Sequence, residues 1–281
     1  MFQLIRLPNV TGNGADGLLT VECPIGYKYK EIYLPLVAGT CTSAMITQAQ
    51  VLMNGQAVWD ITGPNLDDIN QVDAFTAFGT SKVLRFPFSL PRLTDDRLSD
   101  LTAVNTGQVS PVSGKVIHTF QIRLTLLGTT GPNFEAYALV ENSTAEGPGV
   151  IRRFHRYGFA STAGETGYNT LDFGTTKDAL IRRAFVLQSV GTVSRLRWTA
   201  DTREVFNSPT AVITEQLKGA GFVPGSVFGA ISDFAGAGRG YLPEQNPFMD
   251  TLGISGKSLT FYVTNSLAGS NTVLLENIGE V

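Results

Sequence analysis

Phe120-Gln121-Ile122-Arg123-Leu124-Thr125-Leu126 sets every apolar side chain at an even position and every polar one at an odd position. Successive strand side chains point to opposite faces, so this heptapeptide reads as an antiparallel strand with one face in a core and the other toward water. Similar alternation runs through Leu19-Thr20-Val21-Glu22-Cys23, Ile32-Tyr33-Leu34-Pro35-Leu36, Leu196-Arg197-Trp198-Thr199-Ala200 and Leu259-Thr260-Phe261-Tyr262-Val263. Pro35 lacks the amide that a central ladder needs, which predicts an edge or an end there. Asn54-Gly55 stands between Val51-Leu52 and Val58-Trp59, and this pair takes the positive φ angles of a tight hairpin turn.

Helices are expected to be few and short. Ser208-Pro209 followed by Thr210, with Gly219 as the stop, has a capping serine, proline at the first helical position and a terminating glycine. Gly63-Pro64 through Asn70, and Thr94-Asp95-Asp96 through Leu101, read as further helical turns with acids near their positive ends. Gly147-Pro148-Gly149 reads as a linker between two sets of strands.

The halves on either side share an order of features. A strand leads through Asn54 to Val58-Trp59, then a proline and a helix; in the second half a strand leads through Asp201 to Val205-Phe206, then Pro209 and a helix. Leu-Pro follows in each (Leu90-Pro91; Leu242-Pro243), then a leucine-bearing turn (Leu98; Leu252) and the cleanest alternating strand. Val140-Glu141-Asn142 and Leu275-Glu276-Asn277 close the two halves. This order predicts a duplicated domain. The expected fold class is therefore all-β: two tandem jelly-roll sandwiches with a few short helices, over residues 1–147 and 150–281.

The 281 residues suit two sandwiches, with 43% hydrophobic residues to fill two cores and only 16% charged. Formal net charge is -3, and neither end carries a Lys/Arg arm to neutralise phosphates, so no direct nucleic-acid contact is expected. Cys23 and Cys41 read as buried thiols, with a single bridge as the other reading. No signal peptide or membrane-spanning run is legible, which predicts synthesis in the host cytoplasm.

Leu7-Pro8-Asn9-Val10, a glycine-rich gap, Cys23-Pro24-Ile25-Gly26-Tyr27-Lys28-Tyr29 and Ile32-Tyr33-Leu34 resemble the opening of the corticovirus family of major capsid proteins. The resemblance continues at Val51-Leu52-Met53-Asn54-Gly55, at Phe86-Pro87-Phe88, at Leu98-Ser99-Asp100-Leu101, at Gly147-Pro148-Gly149 and at Thr199-Ala200-Asp201. It implies a double jelly roll that forms homotrimers with a nearly hexagonal footprint, tiling an icosahedral shell over an internal lipid membrane. The implied partners are itself, neighbouring trimers, and vertex and membrane proteins of the virion. Residues 219–240, bounded by Gly219 and Gly240 and carrying Phe222, Phe228 and Phe234 among glycines, depart from the family pattern and read as a surface or intersubunit loop.

No catalytic, cofactor-binding or metal residue is assigned. Gly253-Ile254-Ser255-Gly256-Lys257-Ser258 resembles the end of a phosphate-binding loop, but Thr251 stands where the first glycine belongs and a strand follows instead of a helix. His118 and His155 sit in no recognisable catalytic motif. Arg152-Arg153 with Arg156 reads by default as a solvated surface, or else as a contact with a neighbouring subunit or anionic lipid headgroups. Asp67-Asp68, and Asp95-Asp96 with Asp100, offer oxygens for a structural calcium ion, and helix-start acids explain both pairs equally well. The competing functions are a virion spike or carbohydrate-binding sandwich, which needs an exposed aromatic platform, and a cupin-type enzyme, which needs clustered histidines. Trp59 and Trp198 fall in equivalent strand regions and read as buried, so the expectation is a non-enzymatic shell protein of the virion.

Overall fold

The computed structural model describes residues 2–14, 16–89, 100–111, 113–144, 146–168, 180–188, 190–200, 203–219, 221–223, 230–233, 249–250 and 259–280. By its internal contacts the chain divides into two compact units, one of residues 1–152 with 280–281 and one of 153–279.

In the first unit the strands are β1 (Gln3–Arg6), β2 (Asn9–Thr11), β3 (Gly17–Glu22), β4 (Tyr27–Thr40), β5 (Ile46–Met53), β6 (Gln56–Ile61), β7 (Val83–Pro87), β8 (Val104–Asn105), β9 (Phe120–Leu126), β10 (Thr130–Phe134) and β11 (Tyr137–Asn142). Helices α1 (Gly63–Val72) and α2 (Phe78–Ser81) lie between β6 and β7. One sheet runs β6-β5-β9-β3-β2; in the other β1 pairs β11, and β4 pairs β11 and β10 along one side and β7 and β8 along the other. The chain passes from one sheet to the other after β1, β3, β4, β6, β8 and β9, which makes a two-layer sandwich with non-consecutive neighbours.

The alternating heptapeptide is β9, whose even residues are buried and whose odd residues are half-exposed. It lies inside its sheet, with Ile122 opposite Val21 on one side and Val51 on the other. All three side chains are fully buried. Each such burial stabilises by about 1.5–3 kcal/mol, so a slip of one residue, which would turn the whole set to solvent, is strongly disfavoured. Asn54 (φ 51°) and Gly55 (φ 78°) form the expected turn. The Asn54 amide also accepts from the backbone N–H groups of His118 and Thr119 and donates to the Val116 carbonyl, fastening the hairpin tip to the approach to β9.

Pro35 corrects the edge expectation, because β4 is an inner strand. Its missing N–H falls where ladders stop: pairing with β7 ends at Val83–Pro35, that with β11 at Tyr33, and that with β10 begins at Leu36. Thr62 caps α1, its hydroxyl accepting from Asn65 N at 3.3 Å. At the other end Ala74 takes φ 60°, with its N–H on Gln71 O and that of Phe75 on Asn70 O. This is the glycine-type helix termination built with alanine.

β12 (Val150–Ser161) carries the chain into the second unit. There follow β13 (Gly164–Tyr168), β14 (Leu180–Gln188), β15 (Val193–Ala200), β16 (Arg203–Pro209), α3 (Thr210–Gly219), β17 (Ala230–Asp233), β18 (Met249–Asp250), β19 (Leu259–Asn265) and β20 (Gly269–Glu280). One sheet runs β17-β14-β20-β12, with β18 also on β14, and the other β13-β19-β15-β16. Helix α3 starts one residue later than the sequence suggests: β16 runs through Pro209, and the Ser208 hydroxyl turns to the Pro209 carbonyl.

Trp198 and Phe261 are fully buried with ring centroids 4.4 Å apart, and Trp59 is buried against Phe86 and Phe88 at 6.1 and 5.3 Å. A buried tryptophan thus anchors a core in each unit. Leu90-Pro91, Leu98, Leu242-Pro243 and Leu252 of the internal repeat lie outside the described residues, as does the stretch 253–258.

Candidate assembly face

The outer face of the β1-β11-β4-β7 sheet carries a row of four side chains directly opposite one another: Arg6, Tyr137, Tyr33 and Arg85. Each tyrosine hydroxyl donates to the glutamate two residues earlier on its own face, Tyr137 to Glu135 at 2.6 Å and Tyr33 to Glu31. Each glutamate also accepts from the arginine of the flanking strand, Glu135 from Arg6 at 2.7 Å and Glu31 from Arg85. Antiparallel pairing of β4 and β11 sends the two Glu–Tyr steps in opposite directions. Two Arg–Glu–Tyr clusters therefore flank the central tyrosine pair.

Both tyrosines titrate above their ordinary range. Burial, followed by the Glu31 hydrogen bond, pushes Tyr33 up to about 12, whereas the bond to Glu135 is the leading cause at Tyr137. Arg85 is held on its other side by Phe75, whose ring centroid lies 3.4 Å from the guanidinium carbon. Leu4, 63% exposed, and the half-exposed Leu139 face each other in the next row. The face thus presents aromatic, arginine and leucine surface whose charges are already paired within it. Such a face can be covered without stranding a charge.

The outer face of the second unit's β13-β19-β15-β16 sheet is organised similarly. Arg197 bridges Glu165 through Nε at 3.0 Å and Nη2 at 2.6 Å, while its guanidinium lies 3.9 Å from the Tyr262 ring centroid. Gly167 opposite Tyr262 leaves room for that ring, since a Cβ there would meet Tyr262 Cε1 at 2.7 Å.

The arginine cluster after the linker is largely buried, which corrects its default reading as solvated surface. Arg152 is 1% and Arg153 8% exposed, whereas Arg156 is exposed. Arg152 pairs with the buried Asp73 at 3.5 Å and donates to the Pro87 carbonyl at 2.9 Å, while its own carbonyl accepts from Trp59 Nε1 at 2.6 Å. A second buried group, not foreseen in the sequence, joins Glu276 to Arg182 at 2.8 Å and to Arg183 at 3.1 Å, all fully enclosed. The fully apolar neighbours Ile181 and Ala184 hid this pair, since adjacent arginines in a strand ordinarily mark an edge or a surface.

Asp67 and Asp68 lie in the middle of α1, not at its start. Asp67 Oδ1 accepts from Phe78 N at 2.7 Å and so caps α2 instead of its own helix. Burial and the neighbouring Asp67 push Asp68 up to about 7. Asp95 and Asp96 lie outside the described residues, and Asp100 pairs with Lys30 at 2.6 Å. Among the described residues no group of three or more His, Cys, Asp or Glu side chains converges as a metal site. Cys23 and Cys41 are buried free thiols, and burial raises both, Cys41 to about 11. His118 is exposed and His155 half-buried. Of residues 219–240, only 219, 221–223 and 230–233 are described; Phe222 packs in a core, with the Arg183 guanidinium 5.4 Å from its ring centroid.

Comparison with known proteins matches residues 4–141 to the family described as the viral coat protein P2 N-terminal domain. No curated protein matches the chain. Among solved structures it is similar to the major capsid protein P2 of bacteriophage PM2, at 16% identity and TM-score 0.80, over 100% of this chain and 98% of that one. It is similar to a chain of Sulfolobus turreted icosahedral virus at 10% identity and TM-score 0.67, over 99% and 90%. The PBCV-1 virus capsid aligns at 10% identity and TM-score 0.58, over 99% and 93%. The fold these chains share is the tandem jelly roll.

Proposed function

From the match of residues 4–141 to the viral coat protein P2 N-terminal domain, we propose that this chain is a major capsid protein that closes into pseudo-hexagonal homotrimers over an internal lipid membrane. Its place is the virion capsid. The observation that carries the trimer reading is the tandem of two units in one chain, each with two sheets among its described residues. Three such chains contribute six similar bodies to a ring, and a ring of six similar bodies tiles a surface as a hexagon does. Symmetric closure requires self-complementary or head-to-tail faces on each chain. The paired-charge sheet faces of both units supply surface of that kind.

The working parts are mechanical in this reading. Rigid sheets with buried tryptophans resist deformation, and the outer faces and loops make lateral contacts. No catalytic group or cofactor is called for. The spike or carbohydrate-binding alternative needs an aromatic platform, and both tryptophans are core residues. Electron microscopy of purified chains and of particles tests the proposal. Single molecules with a six-lobed outline, and shells in which that outline repeats around a lipid bilayer, are expected; two-lobed single chains that never associate, or shells lacking lipid, would contradict it.

A further inference from the structure

Helix α1 is buried along most of its length, and its polar side chains fasten three neighbouring elements. Asp67 Oδ1 accepts from the Phe78 N–H of α2 at 2.7 Å, and Asn70 Nδ2 donates to the Arg85 carbonyl of β7 at 2.9 Å. Asp73, at the C-terminal end, pairs with Arg152 of β12 at 3.5 Å. Asp68 differs from all three. It is 5% exposed, and no hydrogen bond reaches its enclosed Oδ2. Among the described residues no free cation takes the place of that partner. α1 packs on β5, on β7 and on the turn Ser43–Met45. β5, that turn and α2 carry no charged side chain. Arg85 of β7 is paired with Glu31 and Arg152 with Asp73, while the adjacent Asp67 is a second acid.

We infer that α1 is a proton-controlled clasp, closed while Asp68 carries its proton and opening locally, together with α2, when Asp68 ionises. A neutral carboxyl tolerates enclosure far better than a carboxylate with no counter-charge and an unmade hydrogen bond. Swinging α1 off β5 and β7 gives the ionised group water. The tethers to α2, β7 and Arg152 all spring from this one helix, so its displacement releases them together. The opening is therefore a cooperative event over residues 62–82 and not the fraying of a single turn. Its sign follows from the same enclosure. Burial, then the Asp67 charge, raises Asp68 to about 7, against 3.8 once it is open to water. Opening is thus favoured increasingly as pH climbs from 3.8 toward about 7, and the effect levels off above that. The chain thereby gains a segment whose local stability responds to pH near neutrality.

Hydrogen exchange of the full chain reads this opening directly, followed by mass spectrometry at pH 6 and pH 8 with a chelator present and corrected for the intrinsic rate. Between those two values the linkage raises the opening constant about tenfold. In the parent, peptides from residues 62–82 should be less protected than β9 and should lose about tenfold in protection on going to pH 8. In Asp68→Asn the same peptides should change less than about twofold. Asp68→Leu, similar in size and also without a charge, should behave alike and serves if the asparagine variant is loosened at both pH values. Equal protection of α1 and β9 in the parent would overturn the clasp, because α1 would then open only with the whole unit. So would a parent with no response to pH, or a tenfold response that persists in both variants.

Discussion

Among the described residues two fully enclosed ionic groups, Arg152 with Asp73 and Glu276 with Arg182 and Arg183, are asymmetric in what their loss costs. Removing one member of an enclosed ion pair leaves the other without its counter-charge, which costs about 3–5 kcal/mol. Glu276 faces both Arg182 and Arg183, so Glu276→Gln should lower stability by at least about 3 kcal/mol in urea-induced unfolding; a change under about 1 kcal/mol would show that other groups balance the arginines. Asp68 acts in the opposite sense. Its folded pKa lies near about 7, above its ordinary 3.8, so it holds its proton in the folded chain at pH values where the unfolded chain has released it. Folding stability therefore declines as pH rises from 3.8 through about 7 and is level above that. Asp68→Asn should match the parent near pH 4 and exceed it by at least about 1 kcal/mol at pH 8, as read from urea midpoints. An equal difference at both pH values would assign the effect to something other than titration. Neither group is legible in the sequence, because adjacent arginines or aspartates look the same whether enclosed or solvated. Only the fold brings Glu276 across from Arg183, or places Asp67 under the first N–H of α2.

Elements were far more legible, wherever local chemistry and tertiary packing agree. β9 reads from its alternation alone, and the Asn54-Gly55 turn from the φ angles those residues accept. Pro35 reads rightly as a place where pairing ends but not as an edge, because a missing N–H excludes a residue from a ladder and not from a central strand; here it falls where three ladders meet or end. Two backbone sites test the element-level account. Ala74 holds a left-handed C-terminal position that glycine occupies with less strain, so Ala74→Gly should stabilise by about 0.5–1 kcal/mol and raise the melting temperature by a few degrees. A fall in melting temperature would mean that the added freedom of the unfolded chain outweighs the relief of strain. Gly147 takes φ 64°, and a Cβ there would meet Ser110 N at 2.4 Å. Its carbonyl accepts from the buried Asn105, which also grips Ser143 and Thr144. The glycine the sequence marks as a linker is thus tied into the first unit, and Gly147→Ala should destabilise by about 1–3 kcal/mol in the same unfolding measurement. A neutral result would show that the 105–110 segment yields easily.

At the scale of the whole molecule, the tandem organisation was visible as an ordered repeat of weak features, and the structure gives it substance in two sandwiches with a buried tryptophan in each. The paired-charge faces were not visible. Arg6, Tyr33, Arg85 and Tyr137 are scattered over four strands, and only sheet register sets them in one row, with Glu31 and Glu135 two residues before the tyrosines. A face built this way has its charges paired before any partner arrives, which suits the proposed role of being covered by copies of the chain. Light scattering coupled to size-exclusion chromatography of the full chain tests that claim most directly. The account predicts a stable species of three times the 30.2 kDa chain mass; a chain that stays at 30.2 kDa at every concentration tried would contradict it.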